Sequence, residues 1–179
     1  MADGFCCPLS YFSEKTGRGK AKMSIFKADY RFDKITDITA ADLKNAGAKL
    51  LLLDADNTLS LHGSQKPASG VPEWLEEIRK EGFVPVIISN NSESRIRPFA
   101  KKLGLPFVFK SAKPLPKGFK KATEKFGFKP EETAVIGDQI FTDVLGGKLF
   151  GAKVFLTEPL GPETDFFIKI KREFEKFIR

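Results

Sequence analysis

The sequence is poor in the residues that form disulfides or bind soft metals. Among its 179 residues are two cysteines and one histidine. Cys6 and Cys7 are adjacent, and without a second pair of thiols they do not make a zinc site. We interpret them as free thiols in a reducing cytoplasm, with lipidation near a membrane as the alternative. His62 is expected to be an exposed loop residue. Disulfide-stabilised and zinc-dependent classes of protein are therefore excluded.

Long hydrophobic runs are also absent. No stretch approaches the length of a membrane span, and the N-terminus lacks the basic start and long apolar stretch of a secretory signal. Residues 1–22 mix Gly, Lys, Ser and Pro without periodicity, which predicts a disordered extension, and Met23 is an alternative start. Residues 23–179 are predicted to form a single domain. We expect a cytoplasmic protein, with peripheral membrane association as an open alternative.

Acidic residues are outnumbered, with 23 Asp and Glu against 30 Lys and Arg, so the net charge is +7. This charge favours anionic partners such as phosphorylated substrates, a membrane surface or nucleic acid. Residues 95–121 contain nine Lys or Arg and no acid. The segment is either a solvated basic face or an electrostatic guide for anionic lipid or nucleic acid.

The hydrophobic pattern of residues 49–157 alternates between short apolar runs and amphipathic segments. Strands are predicted at 50–53, 83–89, 106–111, 133–138 and 152–157. Helices are predicted at 72–82, 92–104, 116–127, 141–151 and 163–179, with Pro98 expected to kink or restart its helix. Strands that alternate with helices indicate crossover connections and a parallel sheet. We therefore predict an α/β Rossmann-like three-layer sandwich with a mostly parallel sheet of five strands.

Polar residues follow the carboxyl ends of four predicted strands. In order along the chain they are Asp54 with Asp56, Ser89 with Asn90, Lys113, and Asp138 with Asp143. The carboxyl ends of parallel strands meet at one edge of a sheet, and ligands bind where the strand order reverses. The sequence therefore predicts that these side chains converge on one site.

Four crowded aspartates would repel each other, and no Lys or Arg lies between Leu50 and Gly63 to neutralise the first two. We therefore expect a cation from outside the chain to balance them. Ligands that are all oxygen, with room for water, suit Mg²⁺. Lys113 and Ser89 are placed to bind a phosphoryl oxygen beside such a cation.

The segments "DADNT" (54–58), "SNN" (89–91), "KP" (113–114) and "GDQIFTD" (137–143) resemble, in order, the four motifs of the haloacid dehalogenase (HAD) superfamily. Together they are similar to the YqeG-like phosphatases of subfamily IIIA, over about residues 40 to 175. That group includes mitochondrial phosphatidylglycerophosphate phosphatases. A two-component receiver domain also has an acceptor Asp and a "KP", but its Lys comes last, so we reject it.

The resemblance implies a role for each matching residue. Asp54 would be the nucleophile that forms an aspartyl-phosphate. Asp56 would protonate the leaving oxygen and then deprotonate the attacking water. Lys113 would offset the charge of the phosphoryl group. Ser89 and Asn90 are assigned to substrate binding, although no separate role for Asn90 can be derived from the residues.

The resemblance also implies the metal site. Asp54, Asp138 and the carbonyl oxygen of Asp56 would ligate Mg²⁺, and Asp143 would support them as an outer or orienting residue. Asp56 favours hydrolysis of phosphate esters, because dehalogenases and phosphonatases of the superfamily lack an acid at that position. The implied function is a Mg²⁺-dependent phosphomonoester hydrolase.

The spaces between the motifs leave no room for a cap domain, so we expect an open site that admits bulky or surface-bound substrates. A small substrate would need a neighbouring subunit as a lid, and the oligomeric state is left undetermined. An anionic lipid head group such as phosphatidylglycerophosphate is the first substrate to test. The predicted helix 163–179 is amphipathic and basic, and either packs on the sheet or lies on a membrane. The alternative function is a protein that binds nucleic acid or processes polynucleotide ends.

Overall fold

The computed structural model describes residues 25–161. The predicted extension at 1–22 and the predicted helix at 163–179 lie outside these described residues.

The described chain alternates strands and helices from end to end. The strands are β1 (Tyr30–Phe32), β2 (Leu50–Leu53), β3 (Val84–Ile88), β4 (Phe107–Val108), β5 (Thr133–Gly137) and β6 (Lys153–Thr157). The helices are α1 (Ala40–Asn45), α2 (Val71–Lys80), α3 (Glu93–Leu103), α4 (Pro116–Phe126) and α5 (Leu145–Phe150). Short 3₁₀ turns cover Ile35–Asp37 and Pro130–Glu132, and a single π-helical turn covers Ile140–Val144.

The sheet is a parallel α/β sheet in the order β1-β6-β5-β2-β3-β4, which confirms the predicted fold class. The predicted number of five strands is wrong, because β1 adds a sixth at the edge beside β6. β1 has only three half-buried or exposed residues, too few to show a hydrophobic pattern. The ring of Tyr30 stacks on Phe155 of β6 with centroids 4.4 Å apart, which fixes this edge.

Alternate leucines of β2 face opposite layers of the sandwich, as expected for a strand that is buried on both sides. Leu51 and Leu53 belong to the larger apolar cluster, which also contains Trp74 of α2. Leu50 and Leu52 belong to the cluster on the other face, which contains Phe119 of α4. All four leucines are fully buried, so the central strand is held rigidly and fixes the position of the residue that follows it, Asp54.

The ends of the helices follow local sequence signals. Thr39 and Asp42 form a capping box before α1, in which the Asp42 carboxylate accepts a hydrogen bond from the Thr39 N–H at 2.9 Å. Gly104 and Gly127 end α3 and α4 in the left-handed conformation. α3 continues through the exposed Pro98, which does not restart it as predicted.

The connections around the carboxyl edge of the sheet are loops. Residues 54–70 join β2 to α2, and no cap domain is inserted anywhere between residues 25 and 161. The helices in this part of the chain are too short or too polar to cross a lipid bilayer. Within residues 25–161, the carboxyl edge of β2, β3 and β5 is therefore covered by loops and helix starts alone.

Candidate active site

The strand order reverses between β2 and β5, the two central strands. From β2 the chain moves outward through β3 and β4, and it then returns to β5 on the other side of β2. Asp54 directly follows β2, and Asp138 directly follows β5. The N–H of Asp54 donates to the carbonyl of Ile136 at 2.9 Å, so the sheet pairing continues up to the aspartate. The two carboxylates are thus placed at the topological switch point, where parallel sheets bind ligands.

Lys113 joins two of the predicted carboxylates in the interior of the site. Its Nζ donates to Oδ1 of Asp54 at 2.5 Å and to Oδ1 of Asp143 at 2.7 Å. The side chain of Lys113 is only 3% exposed, and those of Asp54 and Asp143 are 10% and 1% exposed. A buried charge is costly unless it is paired, so this bridge offsets part of the free-energy cost of burying the two carboxylates.

Three buried carboxylates form a candidate metal site. Asp54, Asp138 and Asp143 each offer an oxygen within 4.8 Å of the others. The donors are all oxygen, with no imidazole or thiolate among them, and this chemistry fits a hard divalent cation. Asp143, which was expected to have only a supporting role, is therefore one of the three candidate metal ligands of this cluster.

The charges of the site shift the pKa values of its members. Burial raises the pKa of Asp54 to about 7, and the nearby charges of Asp143 and Asp56 add to this effect against the opposing charge of Lys113. Burial by itself would lower the pKa of Lys113, but the charges of Asp143 and Asp54 outweigh it and raise that pKa. Lys113 therefore stays a cation at neutral pH, shared between two acids.

A π-helical turn sets the position of Asp143. The N–H of Val144 donates to the carbonyl of Gln139, five residues earlier, at 3.2 Å. Asp143 Oδ2 then accepts from the N–H of Gln139 at 3.2 Å, which leaves Oδ1 directed at Lys113. A Cβ on Gly137 would lie 2.4 Å from Cγ of Asp143, so the close approach of this carboxyl requires glycine at the end of β5.

The carboxylate of Asp56 is bound by a different set of groups. Its Oδ1 accepts from Nη2 of Arg95 at 2.8 Å and from the N–H of Gly63 at 3.0 Å. Its Oδ2 accepts from Nδ2 of Asn91 at 2.6 Å. The two aspartates of the first motif thus have separate partners, Lys113 for one and Arg95 for the other.

Ser89 and Asn90 follow β3 at the same edge. Ser89 is 2% exposed, and its Oγ accepts from the N–H of Asn91 at 3.2 Å. The side chain of Asn90 is hydrogen-bonded to the loop that carries Lys113. Its Oδ1 accepts from the Lys113 N–H at 2.7 Å and from Oγ of Ser111 at 2.9 Å, while its Nδ2 donates to the Lys113 carbonyl at 3.0 Å.

A cleft of about 190 Å³ opens onto this edge. It is lined by Asp56, His62, Asn90, Asn91, Lys113, Gln139 and Thr142. His62 is an exposed residue of the loop between β2 and α2, which confirms the prediction, and its Nδ1 lies 3.8 Å from Oδ1 of Asp56.

The structure brings together side chains from all four predicted motifs, but it corrects the expected charge balance. We expected a cation from outside the chain to neutralise the first two aspartates, whereas Lys113 and Arg95 already pair with them. Arg95 was not recognised from the sequence, because it is one of nine basic residues in the segment 95–121. Its position shortly after "SNN", at the start of a helix, was the available signal.

Comparison with known proteins agrees with this geometry. Residues 10–151 match the family model of the haloacid dehalogenase-like hydrolases, which is most of the chain. The chain therefore belongs to this family, whose hydrolases use divalent metal ions. The buried carboxylates and the relatives described below further define it as a HAD-type phosphatase.

Two curated relatives are phosphatases. The chain is 36% identical over 153 residues to the probable phosphatase YqeG of Bacillus subtilis, covering 86% of this chain and 89% of that protein. It is 32% identical over 93 residues to the glyceraldehyde 3-phosphate phosphatase of Pyrococcus furiosus, covering 47% of this chain and 39% of that protein.

Two solved structures share the fold at low sequence identity. The cobalt-bound deoxy-D-mannose-octulosonate 8-phosphate phosphatase of Haemophilus influenzae has a TM-score of 0.52 and 15% identity, covering 75% of this chain and 89% of that chain. An uncharacterised protein of Listeria monocytogenes has a TM-score of 0.53 and 17% identity, covering 65% of this chain and 84% of that chain. These likenesses support the fold.

The carboxylate triad predicts a cation-dependent gain in stability. Addition of Mg²⁺ at about 100 times its Kd should raise the unfolding temperature of the wild-type protein by about 5–10 °C. Asp138→Asn should lose this shift, because it removes one of three buried oxygen donors. The exposed Asp37→Asn is the control and should keep it. Differential scanning calorimetry with and without Mg²⁺ measures the effect, and a full shift in Asp138→Asn would contradict the assignment.

The raised pKa of Asp54 predicts that the metal-free protein loses folding stability as the pH rises. A folded-state pKa of about 7, above the ordinary aspartate pKa of 3.8, means that the free energy of unfolding falls as pH rises between these two values. Asp54→Asn cannot ionise, so its stability relative to wild type should rise by on the order of 2 kcal/mol between about pH 5 and about pH 8, whatever the loss of the Lys113 contact costs at both pH values. Chemical unfolding in EDTA measures the difference in free energy of unfolding between the variant and wild type. A difference that stays constant or shrinks as pH rises would show that burial does not destabilise the Asp54 carboxylate.

Proposed function

We propose that this protein is a Mg²⁺-dependent phosphomonoester hydrolase that acts through an aspartyl-phosphate on Asp54. The observation that carries the proposal is the Asp54 carboxylate, which lies 2.5 Å from the buried Lys113 cation and within the group of three acids. A nucleophile for a dianionic phosphate needs nearby positive charge, and Lys113 provides it from the chain itself.

The proposed first step transfers the phosphoryl group to the enzyme. A carboxylate oxygen of Asp54 forms a bond to phosphorus while the bond from phosphorus to the leaving oxygen breaks. Asp56 donates a proton to that leaving oxygen, which departs as an alcohol. Lys113 binds a phosphoryl oxygen and offsets its charge.

The second step returns the enzyme to its starting state. Asp56, now a carboxylate, accepts a proton from water as the water oxygen attacks the phosphorus of the acyl phosphate. The bond from phosphorus to Asp54 breaks, and inorganic phosphate leaves. Asp54, Asp138 and the Asp56 carbonyl would hold Mg²⁺ together with Asp143, and the bound ion would offset negative charge that develops on the phosphoryl oxygens.

The roles proposed for Ser89 and Asn90 differ from each other. Ser89 directly follows β3, as Asp54 follows the neighbouring β2, and we propose that its hydroxyl group donates to a phosphoryl oxygen. The side-chain amide of Asn90 hydrogen-bonds to both the N–H and the carbonyl of Lys113, so we propose that Asn90 positions Lys113.

An anionic lipid head group, as in phosphatidylglycerophosphate, is the proposed substrate class. Two features support it: no cap covers the carboxyl edge between residues 25 and 161, and basic side chains are exposed on α3, on α4 and in the loop between them. These exposed residues include Lys101, Lys102, Lys110, Lys117, Lys120 and Lys121. Exposed positive charge of this kind would draw a cytoplasmic protein to an anionic membrane surface.

Substitution of the proposed nucleophile tests the mechanism. Asp54→Asn should lower kcat on p-nitrophenyl phosphate by at least about 10⁴-fold, because removal of a covalent nucleophile disables the whole pathway. Asp37→Asn, an exposed change of the same type, should keep full activity. Steady-state kinetics in Mg²⁺ measures both. Retention of more than a trace of activity in Asp54→Asn would refute the covalent route.

The same assay identifies the substrate class. Wild-type enzyme is given phosphatidylglycerophosphate in vesicles, a sugar phosphate and a 3′-phosphorylated oligonucleotide, and Asp54→Asn provides the background for each. The highest kcat/KM on the lipid supports the proposal. A preference for the oligonucleotide would favour the alternative of polynucleotide end processing, and a preference for the sugar phosphate would exclude the lipid.

A further inference from the structure

The basic residue nearest to the proposed acid–base Asp56 is Arg95, at the start of α3. We propose that Arg95 is a positioning residue that fixes the direction of the Asp56 carboxyl group and thereby sets which leaving groups the enzyme can expel. The proposal rests on the function proposed above, since it takes Asp56 as the group that transfers the proton.

Arg95 binds Asp56 and the loop opposite it at the same time. Its Nη2 donates to Oδ1 of Asp56 at 2.8 Å, and its Nη1 donates to the carbonyl of Gly63 at 2.9 Å. The N–H of Gly63 donates to the same Asp56 oxygen at 3.0 Å, so the three residues close a ring of hydrogen bonds. A planar guanidinium group can make both contacts in one geometry, whereas a lysine offers a single point charge.

The support for Arg95 is rigid. Ile96 and Phe99 of α3 are each 2% exposed in the apolar core, so the helix is fixed against the sheet. The loop is fastened to α3 at two further points. Nε2 of Gln65 donates to the carbonyl of Arg95 at 3.0 Å, and Nζ of Lys102 donates to the carbonyl of Gln65 at 2.9 Å. The position of Asp56 is therefore determined by α3 as well as by its own strand.

A third hydrogen bond to Asp56, from Asn91, limits how far the carboxyl group can turn. Nδ2 of Asn91 donates to Oδ2 at 2.6 Å, so each carboxylate oxygen has its own donor. Without Arg95, both donors to Oδ1 are weakened, because Arg95 also holds the Gly63 loop, and the Asn91 bond to Oδ2 alone does not fix the direction of the carboxyl group. Proton transfer depends on that direction, because the acid must lie within hydrogen-bond reach of the leaving oxygen.

This loss should appear as a change in leaving-group dependence. An alkyl alcohol is a poor leaving group and needs a proton as its bond to phosphorus breaks. A nitrophenolate ion leaves without one. Misdirection of Asp56 therefore slows the hydrolysis of an alkyl phosphate more than that of p-nitrophenyl phosphate, whereas loss of a phosphate-binding or folding residue slows both.

The experiment compares Arg95→Ala and Arg95→Lys with Arg97→Ala. Arg97 is the matched control, since it lies on the same helix but is exposed and pairs only with Glu93 among the acids of the described chain. In Arg95→Ala, kcat on glycerol phosphate should fall by about 10–100-fold and kcat on p-nitrophenyl phosphate by less than about threefold, with little change in KM. Arg95→Lys should resemble Arg95→Ala, and Arg97→Ala should match wild type.

Three outcomes would overturn the proposal. The first is an equal fall in kcat on both substrates, the second is no change on either, and the third is a rise in KM alone, which would make Arg95 a substrate-binding residue. If these occur while Asp54→Asn is inactive, the positioning role fails and the covalent mechanism stands. If Asp54→Asn is active, the mechanism itself fails.

A second measurement does not depend on turnover. Hydrogen exchange of the Gly63 amide, followed by NMR, reports the ring of hydrogen bonds directly. Exchange should be faster by about tenfold in Arg95→Ala, which corresponds to about 1.4 kcal/mol, and unchanged in Arg97→Ala. Equal exchange rates in Arg95→Ala and wild type would show that Arg95 does not hold this loop.

Discussion

The buried ammonium group of Lys113, which contacts the carboxylates of Asp54 and Asp143, is the interaction on which the site depends. Each acid comes from a different part of the chain, one after β2 and the other from the π-helical turn after β5. Removal of one partner from such a buried group leaves a charge uncompensated, which costs about 3–5 kcal/mol. The same bridge therefore joins separate segments and places a cation beside the proposed nucleophile.

The loop that presents Lys113 adopts a strained backbone. Lys110 and Ala112 have φ values of 45° and 58°, in the left-handed region that non-glycine residues seldom occupy, at a cost of about 1–3 kcal/mol each. Asn90 holds this loop by three hydrogen bonds to Ser111 and Lys113. Gly118 of α4 allows the helix to approach it closely, because a Cβ there would lie 2.4 Å from the Ser111 carbonyl oxygen. The position of the Lys113 ammonium group thus depends on Asn90, Ser111 and Gly118, which lie outside the cluster of carboxylates.

The central sheet and the place of the site could be predicted from the sequence because both follow from simple physical rules. A run of four leucines ending in aspartate indicates a strand that is buried on both faces and stops at a polar edge, and parallel topology brings such edges together. β1 could not be predicted, since three half-exposed residues give no periodic pattern and the strand forms by pairing with β6. The closeness of Asp143 to Lys113 depends on a π-helical turn, which the 3.6-residue pattern of an ordinary helix does not reveal. Arg95 could not be distinguished from the other basic residues of the segment 95–121 until the fold showed that it faces Asp56.

The central claim is that Asp54 accepts the phosphoryl group while Lys113 and a cation at the carboxylate triad neutralise it. A crystal structure of the protein with Mg²⁺ and beryllium fluoride, which mimics an acyl phosphate, tests this claim most directly. The account predicts beryllium bonded to a carboxylate oxygen of Asp54, a fluorine within hydrogen-bond distance of Lys113 Nζ, and Mg²⁺ ligated by Asp138. A beryllium fluoride group on Asp56, or an unmodified Asp54 with Mg²⁺ bound beside it, would contradict the account.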